Sequence, residues 1–470
     1  MKTTELEHRL DLWLEQNRQQ MVDDIISLVN IKSVSSAPSG NFPYGEGCAK
    51  ALDQALALSR RYGLEAENHQ YHCGTARLAG TSPQEIGLFT HVDIVPEGEN
   101  WIFEPYKALV RQGCIIGRGA SDNKGPAMSA LHALRCLRDL DIQLNHSVRI
   151  FFGCNEENGM SDLDYYLQHH RAPQFSLIPD CTFPVCNGEK GIMKLQLAAR
   201  VRETNLLNIS GGTVTNMVPS FAYALLSGAD YNQVSALATD SGVQGISVFY
   251  EGDHVGVTAE GIAGHAAFPA GTVNAIQKLA AFLSRNHLVT GDAAKPLAFI
   301  AEAFADFYGQ GLGIDYEDQL SGPLTHVGSV IAMENGLLTQ DVNIRYPITA
   351  DTNRVVGGIS ARCGQGGMEV LRLENDPPSY LPADHPVVRV LRDLSNRILG
   401  RDEKSYVMGG GTYARKLPNA VGYGAGIKGP SPFGKDRGDG HQPDECVRIQ
   451  DMVNAVKIYC MALIQLDQML

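Results

Sequence analysis

The sequence predicts an α/β protein whose chain is interrupted by a long α+β insertion. Three observations point there. Short apolar runs in the first third each end at a polar, acidic or glycine-rich break. Amphipathic segments lie between them. The texture of the chain then changes after about residue 185 and returns after Pro386.

Each element follows in order. Leu6, Leu10, Trp13, Leu14, Met21, Ile25 and Leu28 keep helical spacing, which predicts one or two helices over 5–30. A further helix is expected over 48–62. Ile86 to Thr90 runs into His91-Val-Asp93, Val148 to Gly153 into Asn155-Glu-Glu-Asn158, and Phe175 to Ile178 into Pro179-Asp180. Runs this short and apolar read as strands buried on both faces of a sheet. Segment 124–140 carries Met128, Leu131, Leu134 and Leu137 on one stripe and reads as a crossover helix. After residue 185, segments 193–201, 245–250 and 325–333 read as strands, several alternating apolar with polar. The C-terminal segment 451–470 reads as an amphipathic helix. The expected organisation is one α/β domain formed by 1–184 and 386–470, with 185–385 inserted as a second domain.

Bulk properties narrow the function classes. The chain has 470 residues, enough for two or three domains at about 150 residues each. Hydrophobic residues make up 44% and charged residues 19%, so extended disorder is not expected. A net charge of -13 argues against nucleic acid or an anionic membrane as the main partner, because both need a basic face. The ten cysteines neither cluster nor form a CxxC pair, which fits reduced thiols in a cytoplasmic protein better than a disulfide framework. The segment MKTTELEHRLDLWLEQNRQQ lacks the apolar core of a signal peptide, and no run of about 18 apolar residues occurs.

In open α/β sheets, ligands sit beyond the carboxyl ends of the strands. His91, Asp93, Glu156, Glu157 and Asp180 all fall just past an expected strand end. Asp122 lies in the turn GRGASDNKGP, and His441 in DGHQPDE. Taken singly these are ordinary: a loop histidine beside a capping aspartate, a solvated Glu-Glu pair, a surface histidine. Together they make a donor set for hard divalent ions. Two ions about 3.5–4 Å apart need a bridging carboxylate and further ligands. Asp122 can bridge, with His91 and Asp180 on one ion and Glu157 and His441 on the other. Asp93 is left to orient His91 from behind, and Glu156 to act as general base toward water. Cys154 and Cys181, beside these positions, read as small buried residues. GGG at 409–411 fits neither GxGxxG nor a Walker pattern, so no nucleotide site is expected.

The segments LFTHVDIVPEG, GRGASDNKGP, CNEENG, IPDC and GHQPDE resemble those of the co-catalytic metallopeptidases, the family of aminoacylase, acetylornithine deacetylase, glutamate carboxypeptidase and the bacterial Xaa-His dipeptidases. The resemblance spans nearly the whole chain. It implies a zinc-peptidase-like catalytic domain with a central mixed sheet flanked by helices, and an inserted lid, here long enough for two ferredoxin-like halves. It also implies the ligand roles just given, Glu156 as base and a cis peptide after Asp122. GGTVTNMVP, GHAAFPAGTVNAI, VNIRYP and GGGTYAR are similar to the Xaa-His dipeptidase branch. That similarity implies His265 as the lid residue that polarises the scissile carbonyl, assisted by Asn216. It implies Arg345 as the partner of the substrate carboxylate, and Gly410, Gly411 and Thr412 as the substrate floor. The lid histidine follows Ala263-Gly264, where the family often has Ser-Ala.

The expected function is therefore a two-metal dipeptidase acting on short peptides with a free amino terminus. Zinc suits the ligands, and manganese or cobalt would also be accepted. A functional monomer is expected, with neither nucleic acid nor membrane as partner. The competing readings are an N-acyl amino acid deacylase and a non-catalytic metal-binding paralogue.

Overall fold

A computed structural model describes residues 3–427, 429, 431–434 and 437–470. The chain divides into two compact units. The first holds residues up to Gly188, then Tyr380–Tyr406 and Thr412–Leu470; the second holds Glu189–Ser379 and Val407–Gly411.

In the first unit the strands Glu85–His91, Ser147–Gly153, Phe175–Ile178 and Ala420–Gly422 run parallel, with Glu85–His91 between Ser147–Gly153 and Phe175–Ile178. Cys73–Leu78 pairs antiparallel with Ser147–Gly153 and Glu65–His69 pairs antiparallel with it, so the sheet is mixed. Both faces of the parallel strands are buried, which is why they read as near-continuous apolar runs. Alternate side chains go to opposite faces. Leu88, Ile150, Phe152 and Leu177 join the larger core, with Leu131 and Leu134 of helix Gly125–Asp139 and Val456 and Leu463 of helix Ile449–Met469. Phe89, Phe151 and Ile178 face the other way, onto Leu163, Tyr166 and Tyr413. The N-terminal periodicity forms one helix, Thr3–Val29, and not two. Helix Gly125–Asp139 carries proline in its first turn, where a missing N–H costs nothing.

The second unit is built on one eight-stranded antiparallel sheet. Strands Gly191–Arg200, Thr325–Glu334, Leu337–Tyr346 and Glu369–Asp376, with helices Ala294–Ala303 and Thr352–Gln365, run β-α-β-β-α-β. Their spatial order is fourth, first, third, second, the ferredoxin-like arrangement. Strands Phe221–Leu226, Ile246–Glu251 and His254–Glu260, with helices Tyr231–Asp240 and Ala275–Arg285, repeat that order. There the outer fourth strand is supplied by the preceding Leu206–Gly211, which also joins the halves by pairing with Thr325–Glu334. Val234, Leu279, Ile300 and Ile359 of the helices share one core with Leu195, Ile209, Val257 and Ile344 of the sheet.

The units divide at Gly188/Glu189 and Ser379/Tyr380, a few residues from the expected 184/185 and 385/386. Val407–Gly411, expected within the first domain, belongs to the second unit. Hydrogen bonds to its main-chain carbonyls explain this, since Lys190 N donates to Met408 O at 2.9 Å and Arg345 Nη1 to Gly409 O at 3.0 Å. Among the described residues, no helix is long and apolar enough to cross a membrane.

Candidate metal centre

Parallel pairing sets the site. His91 lies in register with Gly153 across the two central strands, and Leu88 with Leu177. His91, the Glu156–Asn158 turn and Asp180 therefore emerge at the same edge of the sheet. Asp122 arrives from the turn Ala120–Lys124, which breaks helical geometry at that residue, and the Asp122-Asn123 peptide is cis, as the resemblance implies. His441 arrives from a loop of the C-terminal segment and adopts φ 66°.

The side chains converge around Asp122. His91 Nε2 lies 3.1 Å from Asp122 Oδ1 and 3.7 Å from Asp180 Oδ2. His441 Nε2 lies 3.1 Å from Asp122 Oδ2 and 3.0 Å from Glu157 Oε1. One Asp122 oxygen thus faces His91, which also meets Asp180; the other faces His441, which also meets Glu157. His91, Asp122 and Glu157 offer ligand atoms within 4.8 Å of one another, and so do His91, Glu156 and Asp180. Glu156 is buried, and its Oε1 has no hydrogen-bond partner.

The electrostatics call for cations. Burial pushes Glu156 well above the usual carboxylate range, and Asp180 adds to the shift. Burial, then Asp122, pushes Asp180 up to about 8. Glu157 is raised by burial and by Asp122. Burial also works against ionised Asp122, yet hydrogen bonds from His441 and His91 hold it well below the ordinary value. Carboxylates crowded in a buried site repel one another and lose hydration. A pair of divalent cations would relieve both costs, and the oxygen and imidazole donors suit such ions. The orphaned Glu156 oxygen and the crowded carboxylates fit the metal pair that the motifs imply.

The structure refines the part played by Asp93. His91 Nδ1 hydrogen-bonds the main-chain oxygen of Asp93 at 3.0 Å, with the carboxylate at 3.4 Å. The carboxylate instead accepts the backbone N–H groups of Glu156 at 3.2 Å and Glu157 at 3.1 Å. An HxD spacing lets the ring reach the aspartate's own carbonyl, which frees the side chain to clamp the next loop.

Several residues at the site were not singled out from sequence. Asn123 Nδ2 donates to Pro179 O at 2.6 Å and Asp180 Oδ1 at 3.1 Å, tying the two aspartate loops together. Buried Lys124 donates to the carbonyls of Leu28 at 3.1 Å and Ile31 at 2.7 Å, anchoring the turn to the end of the first helix. Asp162 Oδ2 accepts from Cys154 N at 2.7 Å, Asn155 N at 2.9 Å and Tyr413 Oη at 2.6 Å. Glu445 accepts from Ser121 N and Asp122 N. Glu445 stands inside the GHQPDE motif, so an acid without an assigned role was visible there. Asp162 sits in the first turn of helix Ser161–His169, where acids are commonplace.

In the second unit, strand Gly264–His265 pairs with Met217–Val218, which sets Met217 opposite half-buried His265. His265 Nδ1 accepts from Ala267 N at 3.2 Å, and Asn216, whose side chain is exposed, gives its carbonyl to Ala266 N at 2.8 Å. A Cβ at Gly264 would lie 2.4 Å from Thr272 Cγ2, a physical reason for glycine where the family often has alanine. Arg345 is buried; its Nε donates to Asn343 Oδ1 at 2.9 Å and its Nη1 to Gly409 O. Gly410 and Gly411 follow directly. Thr412, the next residue, belongs to the first unit, and its hydroxyl accepts from Ala414 N to cap the turn Tyr413–Lys416.

A mixed-sheet α/β unit with acids and histidines gathered at its strand ends has the donor set of a divalent-metal centre. The sequence pattern of peptidase family M20/M25/M40 matches residues 87–465, and the chain belongs to that family. It is a metallopeptidase. It is 31% identical to the putative dipeptidase YtjP of Bacillus subtilis, over 96% of this chain and 98% of that one. It is 28% identical to the Beta-Ala-Xaa dipeptidase of Lactobacillus delbrueckii subsp. lactis, over 97% of each. The fold is similar to that of human carnosine dipeptidase 1, with a TM-score of 0.63 over 98% of this chain and 99% of the other, at 12% identity.

Proposed function

We propose that this chain hydrolyses the peptide bond of dipeptides with a free amino terminus, using two divalent cations. It is a metal-dependent dipeptidase. The observation that carries the two-cation reading is Asp122, whose two carboxylate oxygens face separate His–carboxylate pairs beside buried Glu156, whose Oε1 has no hydrogen-bond partner. In this reading Asp122 would serve both ions, His91 and Asp180 would hold one, and Glu157 and His441 would hold the other. Zinc suits this oxygen and nitrogen set best, and manganese or cobalt would also bind.

When bound, such a pair supplies Lewis-acid polarisation and lowers the pKa of water. The protein's own groups then divide the proton work. Glu156 takes a proton from water and returns it to the leaving amine nitrogen. Asp93 keeps Glu156 and Glu157 in place through their backbone N–H groups. His265, assisted by Asn216, donates to the oxyanion that develops at the scissile carbonyl. Arg345 pairs with the substrate's terminal carboxylate, and Gly410, Gly411 and Thr412 form the floor. For these second-unit residues and Thr412 the support is the likeness of their motifs to the dipeptidase branch. We place the enzyme in the cytoplasm as a monomer, with His265 acting within its own chain. The dipeptidase names of the curated relatives favour this reading over an N-acyl deacylase.

Glu156→Ala tests the assignment. The variant should bind metal as the parent does and lose at least about a hundredfold in kcat, the lower range for a general base. Near-normal turnover with full metal content would refute Glu156 as base.

A further inference from the structure

We infer that Glu445 is a positioning residue for the metal pair, acting through the backbone of Asp122; this rests on the two-cation reading above. Glu445 is fully buried. Its Oε1 accepts two consecutive backbone N–H groups, Ser121 N at 2.8 Å and Asp122 N at 3.0 Å. Its Oε2 accepts from Arg118 Nη1 at 2.6 Å. Its main-chain carbonyl accepts from Gly117 N at 2.8 Å, just before the same turn.

The consequence is geometric. Asp122 lies at a break in the Ala120–Lys124 turn, where its N–H has no regular helical partner to fix it. A carboxylate that receives two adjacent N–H groups sets the peptide planes on which Asp122 is hung, and so the direction of its side chain. Glu445 also stands four residues after His441, at the head of strand Cys446–Arg448, which pairs with Cys114–Ile116 leading into the Asp122 turn. One side chain therefore couples the segment that delivers His441 to the segment that delivers Asp122. Those two side chains meet at 3.1 Å.

Arg118 makes this bracket tolerable. A buried carboxylate without a partner is costly, and burial does raise Glu445 above its ordinary range while Arg118 lowers it. The guanidinium is itself held, by Glu97 O at 3.0 Å and by the Trp101 ring 5.2 Å away. Groups that orient metal ligands commonly matter ten- to a hundredfold in metal affinity.

The test compares Glu445→Gln with Arg118→Met in cobalt titrations of the full-length apoprotein, read by visible absorption, beside the thermal midpoint of each apoprotein. Both substitutions break the ion pair, but only the first exchanges the carboxylate oxygen that accepts from Ser121 and Asp122 for a weaker amide oxygen. The parent should bind two cobalt ions. Glu445→Gln should bind them at least tenfold more weakly, with an altered cobalt spectrum. Arg118→Met should lose thermal stability yet keep its affinity within about threefold. If Glu445→Gln does not fold, the charge-neutral double variant Glu445→Gln/Arg118→Met supplies the same comparison against Arg118→Met. Unchanged affinity and spectrum in the Gln variant would overturn the positioning role, and so would equal losses in Glu445→Gln and Arg118→Met. A parent that binds a single ion or none would instead overturn the two-cation reading, and the role of Glu445 with it.

Discussion

Replacing Asp162 by alanine removes the acceptor beneath the loop that carries Glu156 and Glu157. In the parent, Asp162 Oδ2 receives Cys154 N, Asn155 N and the Tyr413 hydroxyl, and all three donors belong to buried residues. Water is poorly placed to replace the carboxylate. A Cβ added at Gly153 would lie 1.8 Å from Tyr413 Oη, so the packing there is already tight. Each stranded donor costs about 1–3 kcal/mol. Burial, then Asp93, pushes the Asp162 carboxyl up to about 6, so the parent also carries a desolvation cost that the variant escapes. The net loss should be about 3–6 kcal/mol. Both tryptophans, Trp13 and Trp101, lie in the first unit, so fluorescence-detected urea unfolding reads that unit alone. The folded fraction should also turn over at least about tenfold more slowly, because Glu156 hangs from the disturbed loop. A loss under about 1 kcal/mol with unchanged kcat would refute the claim that Asp162 supports this loop.

Two further outcomes follow from other contacts. Arg345→Lys keeps the charge but cannot hold both Asn343 Oδ1 and Gly409 O with a planar fork; KM for a dipeptide should rise roughly tenfold or more while kcat changes little, and an unchanged KM would remove Arg345 from substrate binding. Asp467 anchors the C-terminal helix by accepting from Asn145 N at 2.9 Å and His146 N at 2.6 Å; burial works to raise its carboxyl, but these bonds hold it below the ordinary range. Its contribution is present above the unfolded value near 3.9 and is lost as pH falls through the depressed native value. Asp467→Asn should therefore be less stable by about 1–2 kcal/mol at pH 7, with the gap closing toward pH 2. A gap that stays constant with pH would refute the charged role.

Much of this was legible in the chain. The strands before His91, Asn155 and Asp180 announce themselves because burial on both faces leaves them mostly apolar, and each ends at a polar break. His91, Glu156, Glu157 and Asp180 are legible because each falls at or just past the end of one of those strands, where such a sheet collects its ligands. What stayed hidden depends on contacts distant in sequence. Asp162 looks like a helix-start acid until Tyr413 is seen upon it. Glu445 looks like a loop acid until the Asp122 turn closes over it. The use of the Asp93 main-chain oxygen by His91 turns on a ring rotation that spacing does not encode. Likewise Val407–Gly411 joins the second unit through main-chain carbonyls that accept from Lys190 N and the Arg345 guanidinium, both distant in sequence.

The most direct test of the central claim sets a free dipeptide such as Ala-His beside its N-acetylated form, with the metal-reconstituted enzyme and zinc, manganese and cobalt in turn. The account predicts hydrolysis of the free dipeptide alone, dependent on the added ion. Cleavage of only the blocked compound would contradict it and make the chain a deacylase built on the same metal centre.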